Sequence, residues 1–350
     1  MKIGMPMSYS GGFAETVQQL VEYEAAGLDL VMMPEAYTFD SVSQLGYIAA
    51  KTSRLELASG ILNVYSRTPA VLAMTAAGID FVSNGRFTLG IGASGPQVIE
   101  GFHGVRYDAP LGRSREVVEI CRMIWRREPA AYDGQYYHLP LTPEHGGSGL
   151  GRALKLINHP VRPNIPVVLA ALGPKNVELA AELFDGWEPL FFHPERAEEA
   201  FGSALAAGKA KRPPELGPLQ IVADTQVCIS DSPQEQEFAI QAVRSQLALY
   251  VGGMGARGRN FYNDLAVRYG YVDEAKLVQD LYLSNQKAEA AAAVPVELVH
   301  GVSLIGTPEW VRGRVQAYRD AGVTTLNAHP ISQSPSSRVR MVEQLKEFTS

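Results

Sequence analysis

Short, densely apolar runs alternate with longer segments of helical spacing eight times along 350 residues, and no other feature of the sequence narrows the fold as much. Strand-like runs cover Ile3 to Met7, Leu28 to Glu35, Leu55 to Ile61, Arg86 to Gly95 and Ile165 to Ala170, and others begin at Gly186, Leu219 and Val323. Helical spacing fills Phe13 to Ala26, Ser41 to Lys51, Pro69 to Val82 and Gly112 to Arg127, with a last helix from Ser337 to Phe348. Strands that read as almost continuous apolar runs are covered on both faces, as in a parallel sheet. An open sheet would leave less apolar edge strands, so the pattern predicts an α/β fold of one closed (βα)8 TIM barrel. "AAGLDLV" and "DAGVTTL" each end a helix at Ala-Gly and enter a strand at once, which puts glycine at a helix C-terminus twice.

The length fits a single domain over residues 1–350. Two stretches exceed a minimal βα unit: a Gly- and Pro-rich loop at about 136–164 and a helical excursion at about 252–293. Both are expected as insertions over the C-terminal face of the barrel.

Composition serves mainly to exclude. A net charge of −6 without a basic run argues against nucleic acid and against a charged membrane surface. No apolar run approaches the roughly 18 residues of a membrane span, and the apolar part of "MKIGMPMSYSGGF" is too short for a signal peptide, so a cytoplasmic protein is expected. Cys121 and Cys228 lie far apart in apolar patterns and read as core thiols rather than a disulfide or metal pair.

In such a barrel the chemistry sits at the carboxyl ends of the strands. Those positions are Ser8 and Tyr9, Pro34 to Tyr37, Ser59 to Arg67, Gly92 to Gln97, Ala171 to Asn176, Glu188 to His193, Cys228 to Asp231 and Asn327 to His329. They contain no His-x-His or Glu-x-x-His pattern, so no metal is expected, and "GASG" is one residue short of a nucleophile elbow. Small residues, backbone donors, hydroxyls and aromatics remain, which suits a large planar cofactor. "AALGPKNVELAAELF" reads as strand, glycine turn and helix, with Pro174 in the first helical turn. Free N–H groups, the helix dipole and Lys175 would make that turn an anion site, although an ordinary βα connection reads the same way.

"AAGLDLVMMPE", "ASGILNVYSRTPAVLA", "SNGRFTLGIGASG" and "AALGPKNVELAAELFDGW", in this order, resemble the bacterial luciferase-like superfamily. Within it they are similar to the coenzyme F420 (deazaflavin) branch of methylenetetrahydromethanopterin reductase and the deazaflavin type of glucose-6-phosphate dehydrogenase. The resemblance spans essentially the whole chain. It implies a cis peptide at Gly60-Ile61 forming a bulge behind the cofactor ring, with Asn63 near the ring or ribityl region. It also implies a loop of small residues, Ala93, Ser94 and Gly95, along the cofactor. Ala171 would lie beside the ring, and Leu172, Gly173, Pro174 and Lys175, with Asn176 next to them, would form the phosphate turn.

Glu35 matches an aspartate of the sugar-phosphate enzymes, but Ala36 stands where they have histidine and Gly95 where they have glutamate, so glucose-6-phosphate is not the implied substrate. The implied reaction is hydride transfer between the deazaflavin and a small organic substrate. Glu35 is the first candidate to carry the accompanying proton, followed by His103 and His193. Tyr37, Tyr65 and Trp187 are candidate aromatic walls, with Trp187 better read as core. The alternative within the superfamily is a monooxygenase using reduced FMN and oxygen; a barrel that only binds a ligand is a further one. The resemblance also implies a homodimer built on helices flanking the second and third strands.

Overall fold

A computed structural model describes residues 1–8 and 12–350; Tyr9 lies outside the described residues. Eight parallel strands close a barrel: β1 (Lys2–Pro6), β2 (Leu30–Met33), β3 (Glu56–Ser59), β4 (Phe87–Gly92), β5 (Val167–Ala170), β6 (Gly186–Glu188), β7 (Gln220–Ile229) and β8 (Thr325–Pro330). Each pairs with its sequence neighbour, and β1 closes the ring on β8, with Lys2 opposite Thr325. Every residue of β2 is buried, as its run of Leu, Val and Met requires.

The helices Ser41–Lys51 and Pro69–Val82 fall where their spacing puts them, because each has a start signal. Asp40 accepts from the N–H groups of Val42 and Ser43, and Thr68 accepts from Val71 ahead of Pro69. Gly27 and Gly322, at φ of 97° and 88°, occupy the left-handed conformation that ends a helix. One large apolar core lies between the strands and the helices, and Leu30, Met32, Ala58 and Val222 form a smaller cluster. Cys121 and Cys228 are free and buried.

A short strand, Ser303–Gly306, is absent from the sequence reading. It pairs with the far half of β7, Gln226 to Ile229, while Gln220 and Ile221 at the near end pair with β6. The helix Val296–Val302 runs into it without a turn, so no punctuation marks it in the sequence. The helical excursion is also longer than its sequence signal. It starts with a π-helical turn at Ala248–Gly253, passes through Phe261–Arg268, Val272–Leu283 and Lys287–Ala292, and ends at Val302.

The loop near 136–164 reaches the barrel rim at Tyr137, whose hydroxyl donates to the carbonyl of Val64 at 3.4 Å. Glu116 fixes that part of it, accepting from the N–H groups of Gln135, Tyr136 and Tyr137. Farther on, Arg162 pairs with buried Asp80 at 2.5 Å and donates to the carbonyl of Phe87, at the start of β4. The segment therefore travels along the outer wall from the mouth to the opposite end. Among the described residues no helix is long and apolar enough to cross a membrane.

Candidate active site

Side chains alternate along a strand, so one set from each strand points into the barrel. Toward the carboxyl ends that inner set becomes polar and opens on a cavity of about 300 Å³. Pro6, Met32, Gly60, Glu188, Asp224 and Asn327 line its base, and Tyr250 and Val302 from the helical excursion also line it.

Between β3 and β4 the backbones approach closely. The Ser59 hydroxyl donates to the carbonyl of Gly90 at 2.8 Å and accepts from its N–H at 2.9 Å. A Cβ on Gly90 would lie 1.9 Å from the Ser59 carbonyl oxygen, so only glycine fits. The next peptide, Gly60-Ile61, is cis as the resemblance implies, and Gly60 borders the cavity. Asn63 is buried, and its carbonyl oxygen accepts from the N–H groups of Tyr65 at 3.1 Å and Ser66 at 2.7 Å. That oxygen is thus committed to shaping the chain.

Beyond β4, Ala93 and Ser94 lead into Gly95, the N-cap of the short helix Pro96–Ile99. A Cβ on Gly95 would meet nothing within 4 Å. The same holds for Gly173, the N-cap of the helix Pro174–Leu183. The fold therefore needs no glycine at either place, and the missing side chains leave room for something else. Trp187, buried as expected, donates to the carbonyl of Ala171 at 2.8 Å, and Arg268 donates to that of Leu172 at 2.9 Å. Asn176 and Val177 donate back to the carbonyl of Gly173. The N–H groups of Leu172, Gly173 and Lys175 have no acceptor among the described residues. Lys175 is exposed and in no ion pair among them. Unused donors at a helix N-terminus next to a cation are what an anion site requires.

The proton-carrier candidates fall elsewhere. Glu35 forms a two-pronged ion pair with Arg67, at 2.5 and 3.0 Å, and accepts from the N–H of Ser41 at 2.9 Å. Burial pushes its carboxyl up, but the hydrogen bonds from Arg67 and Ser41 and the guanidinium charge outweigh this and hold it below the usual range. Both oxygens are engaged in this geometry, which supports a structural role for Glu35 beside the acid/base role expected of it. Arg67 was invisible as its partner because it stands 32 positions along the chain.

The two histidines expected as acid/base groups are not among the residues that line the cavity. His193 is buried outside the cavity, its ring 5.5 Å from that of Tyr269 and its Nδ1 3.1 Å from Glu195. Burial holds its pKa below the ordinary value, against the pull of Glu195. His103 also lies outside the cavity lining; its Nε2 is buried without a partner among the described residues, and its ring packs edge-on to Phe102 at 5.3 Å. Tyr37 is exposed, and the Tyr65 hydroxyl donates to the carbonyl of Asp108, so neither forms a cavity wall.

The sequence reading missed the carboxyl pair Glu188 and Asp224. The two line one cavity from neighbouring strands and perturb each other electrostatically, and the Asn327 amide donates to Asp224. Burial raises both carboxyls, and the Asp224 charge raises Glu188 further. The available signal was an aspartate inside the apolar run "IVADTQVCI". It was passed over because β7 is ten residues long and Asp224 sits at its middle, away from the strand end.

Asp133 and His138, on the paired strands Tyr132–Asp133 and His138–Leu139, also come together with His145 of the turn Pro143–His145, although the scattered histidines suggested no metal cluster. His138 Nδ1 lies 2.8 Å from Asp133, and the two imidazoles stack at 3.5 Å with planes 5° apart. Parallel rings aim their nitrogen lone pairs side by side rather than at one point, which does not suit tetrahedral ligation.

Residues 1–325 match the luciferase-like monooxygenase family, and the chain belongs to that family. It is 41% identical over 334 residues, 93% of this chain and 94% of the relative, to a Mycobacterium tuberculosis protein named as a coenzyme F420-dependent oxidoreductase. It is 27% identical, over 98% of this chain and 97% of the relative, to 5,10-methylenetetrahydromethanopterin reductase of Archaeoglobus fulgidus. Among solved structures, the coenzyme F420 dependent tetrahydromethanopterin reductase of Methanopyrus kandleri superposes with a TM-score of 0.81 at 20% identity, covering 99% of both chains.

Proposed function

We propose that this chain is a coenzyme F420-dependent oxidoreductase that moves a hydride between the bound deazaflavin and a small organic substrate. The observation that carries the reading is the 41% identity, along 93% of the chain, to a relative named for that cofactor. The site fits the group: a Cβ at Gly95 or Gly173 would enter open space, and the turn from Leu172 to Lys175 offers unused donors to an anion. Leu172, Gly173 and Lys175 would hold the phosphate, with Ala171 and Asn176 flanking them. Ala93, Ser94 and Gly95 would border the chain of the cofactor, and Gly60 and Ile61 would back its ring, with Asn63 holding the loop that follows. When bound, the deazaflavin supplies or accepts the hydride. The protein keeps substrate and ring in contact within a cavity of about 300 Å³ and supplies the proton that balances the charge.

Fluorescence titration tests the choice of cofactor. F420 is expected to bind saturably at micromolar concentration or tighter, with no saturable binding of FMN. Saturable FMN binding without F420 binding would replace this reading by the reduced-flavin monooxygenase, and binding of neither would leave a ligand-binding barrel.

A further inference from the structure

We propose that Glu188 and Asp224 hold one proton between them at the base of the cavity, and that this pair is the proton carrier of the reaction. The inference rests on the oxidoreductase reading above. Glu188 ends β6 and Asp224 lies in the neighbouring strand β7, where Gln220 and Ile221 pair with Gly186 and Trp187. Both carboxyls line the cavity, and Glu188 is buried. Glu188 Oε1 would lie 4.0 Å from a Cβ built on Gly60, so the pair adjoins the bulge assigned to the cofactor ring.

The surroundings leave the pair no way to be doubly charged. Among the described residues no lysine or arginine lines the cavity, and the other titratable ones that do are Tyr250, from the helical excursion, and His329, from β8. Asn327 offers the pair its amide, donated to Asp224. That bond stabilises the charge on Asp224 and leaves the proton to Glu188. Glu188 Oε2 is buried with no donor among the described residues, an expensive state for a carboxylate oxygen. Protonation makes Glu188 the donor that Asp224 can accept from. Two carboxyls on one cavity from neighbouring strands, Glu188 buried and Asp224 half-buried, with no cation among the described lining residues, share a single proton, since separating both charges from water costs more than retaining it.

Such a pair can serve either direction. In reduction, an O–H bond of the pair breaks and its electrons stay on the carboxyl oxygen. A new bond to hydrogen forms on the substrate heteroatom that gained the π electrons when hydride reached the adjacent carbon. The reductant is the reduced deazaflavin. The doubly charged pair that remains is unstable in this setting and regains its proton from solvent. Oxidation runs these steps backward, and the pair receives the proton.

Infrared titration of the cofactor-free protein tests the shared proton without turnover. A protonated-carboxyl C=O band should persist at neutral pH and titrate above the range of an ordinary carboxyl. It should be lost in both Glu188→Gln and Asp224→Asn, with circular dichroism confirming that each is folded. If either variant fails to fold, isotope-edited spectra of the wild type with 13C-labelled glutamate take its place, and a labelled protonated band is required. No protonated band at neutral pH, or an unchanged one in folded Glu188→Gln, overturns the inference. Addition of F420 should shift the band; saturable F420 binding that leaves it unmoved rejects the pair as part of the reacting site. Failure of F420 to bind, with the band present, counts against the cofactor and not against the shared proton.

Discussion

Glu35 and Glu188 show why residue types alone do not identify a proton carrier. Both are glutamates at the ends of strands, and sequence position favours neither. The difference lies in what folds against them: Arg67 holds Glu35 charged, whereas Asp224 and burial keep Glu188 neutral. Those partners are 32 and 36 positions away, beyond any local pattern. Glu35→Gln is therefore expected to lower stability by on the order of 2 kcal/mol at neutral pH, by removing charge-assisted bonds to Arg67, with F420 affinity unchanged. The folded-state pKa of Glu35 is depressed, so its contribution is complete above the unfolded pKa and is lost as pH falls through the folded one. Urea melts of wild type and variant should converge across that acid window. A constant difference there, or loss of F420 binding, would contradict the structural role.

Elements were legible wherever the chain carries its own punctuation. Asp40, Thr68 and the prolines that open helices mark starts, and Ala-Gly marks two ends, so those helices are readable within a residue or two. The strand Ser303–Gly306 has no such signal, and only its pairing with β7 defines it. The turn after β5 was readable as strand, glycine and helix with donors offered to an anion, although an ordinary connection reads the same way. What local sequence does not show is that Trp187 and Arg268 take up the carbonyls of Ala171 and Leu172. Gly173→Val tests the turn. A Cβ there meets nothing within 4 Å, so the cost to stability should be limited to about 1 kcal/mol from a poorer N-cap. The branched side chain would occupy the anion position, and F420 affinity should fall at least about ten-fold (about 1.4 kcal/mol). Unchanged affinity in a folded variant would remove the phosphate assignment.

For the whole molecule, the eightfold alternation was sufficient to specify a closed barrel, because parallel strands buried on both faces have few other arrangements. The course of the insertions was not readable. Gly- and Pro-rich composition marks a long loop, but Glu116 at one end and Asp80 at the other determine that it runs down the outer wall. The helical excursion instead lies over the mouth, where Tyr250 lines the cavity and Arg268 reaches the anion turn. Gly60 after β3, Glu188 of β6 and Asp224 of β7 line one cavity although they are widely separated in sequence, and the β5 turn is proposed to join them. A crystal structure with F420 bound tests that convergence most directly. The account predicts the phosphate on the N–H groups of Leu172, Gly173 and Lys175, and the deazaflavin ring against Gly60-Ile61 beside Glu188. F420 seated away from that turn, or with its ring outside the barrel mouth, would contradict it.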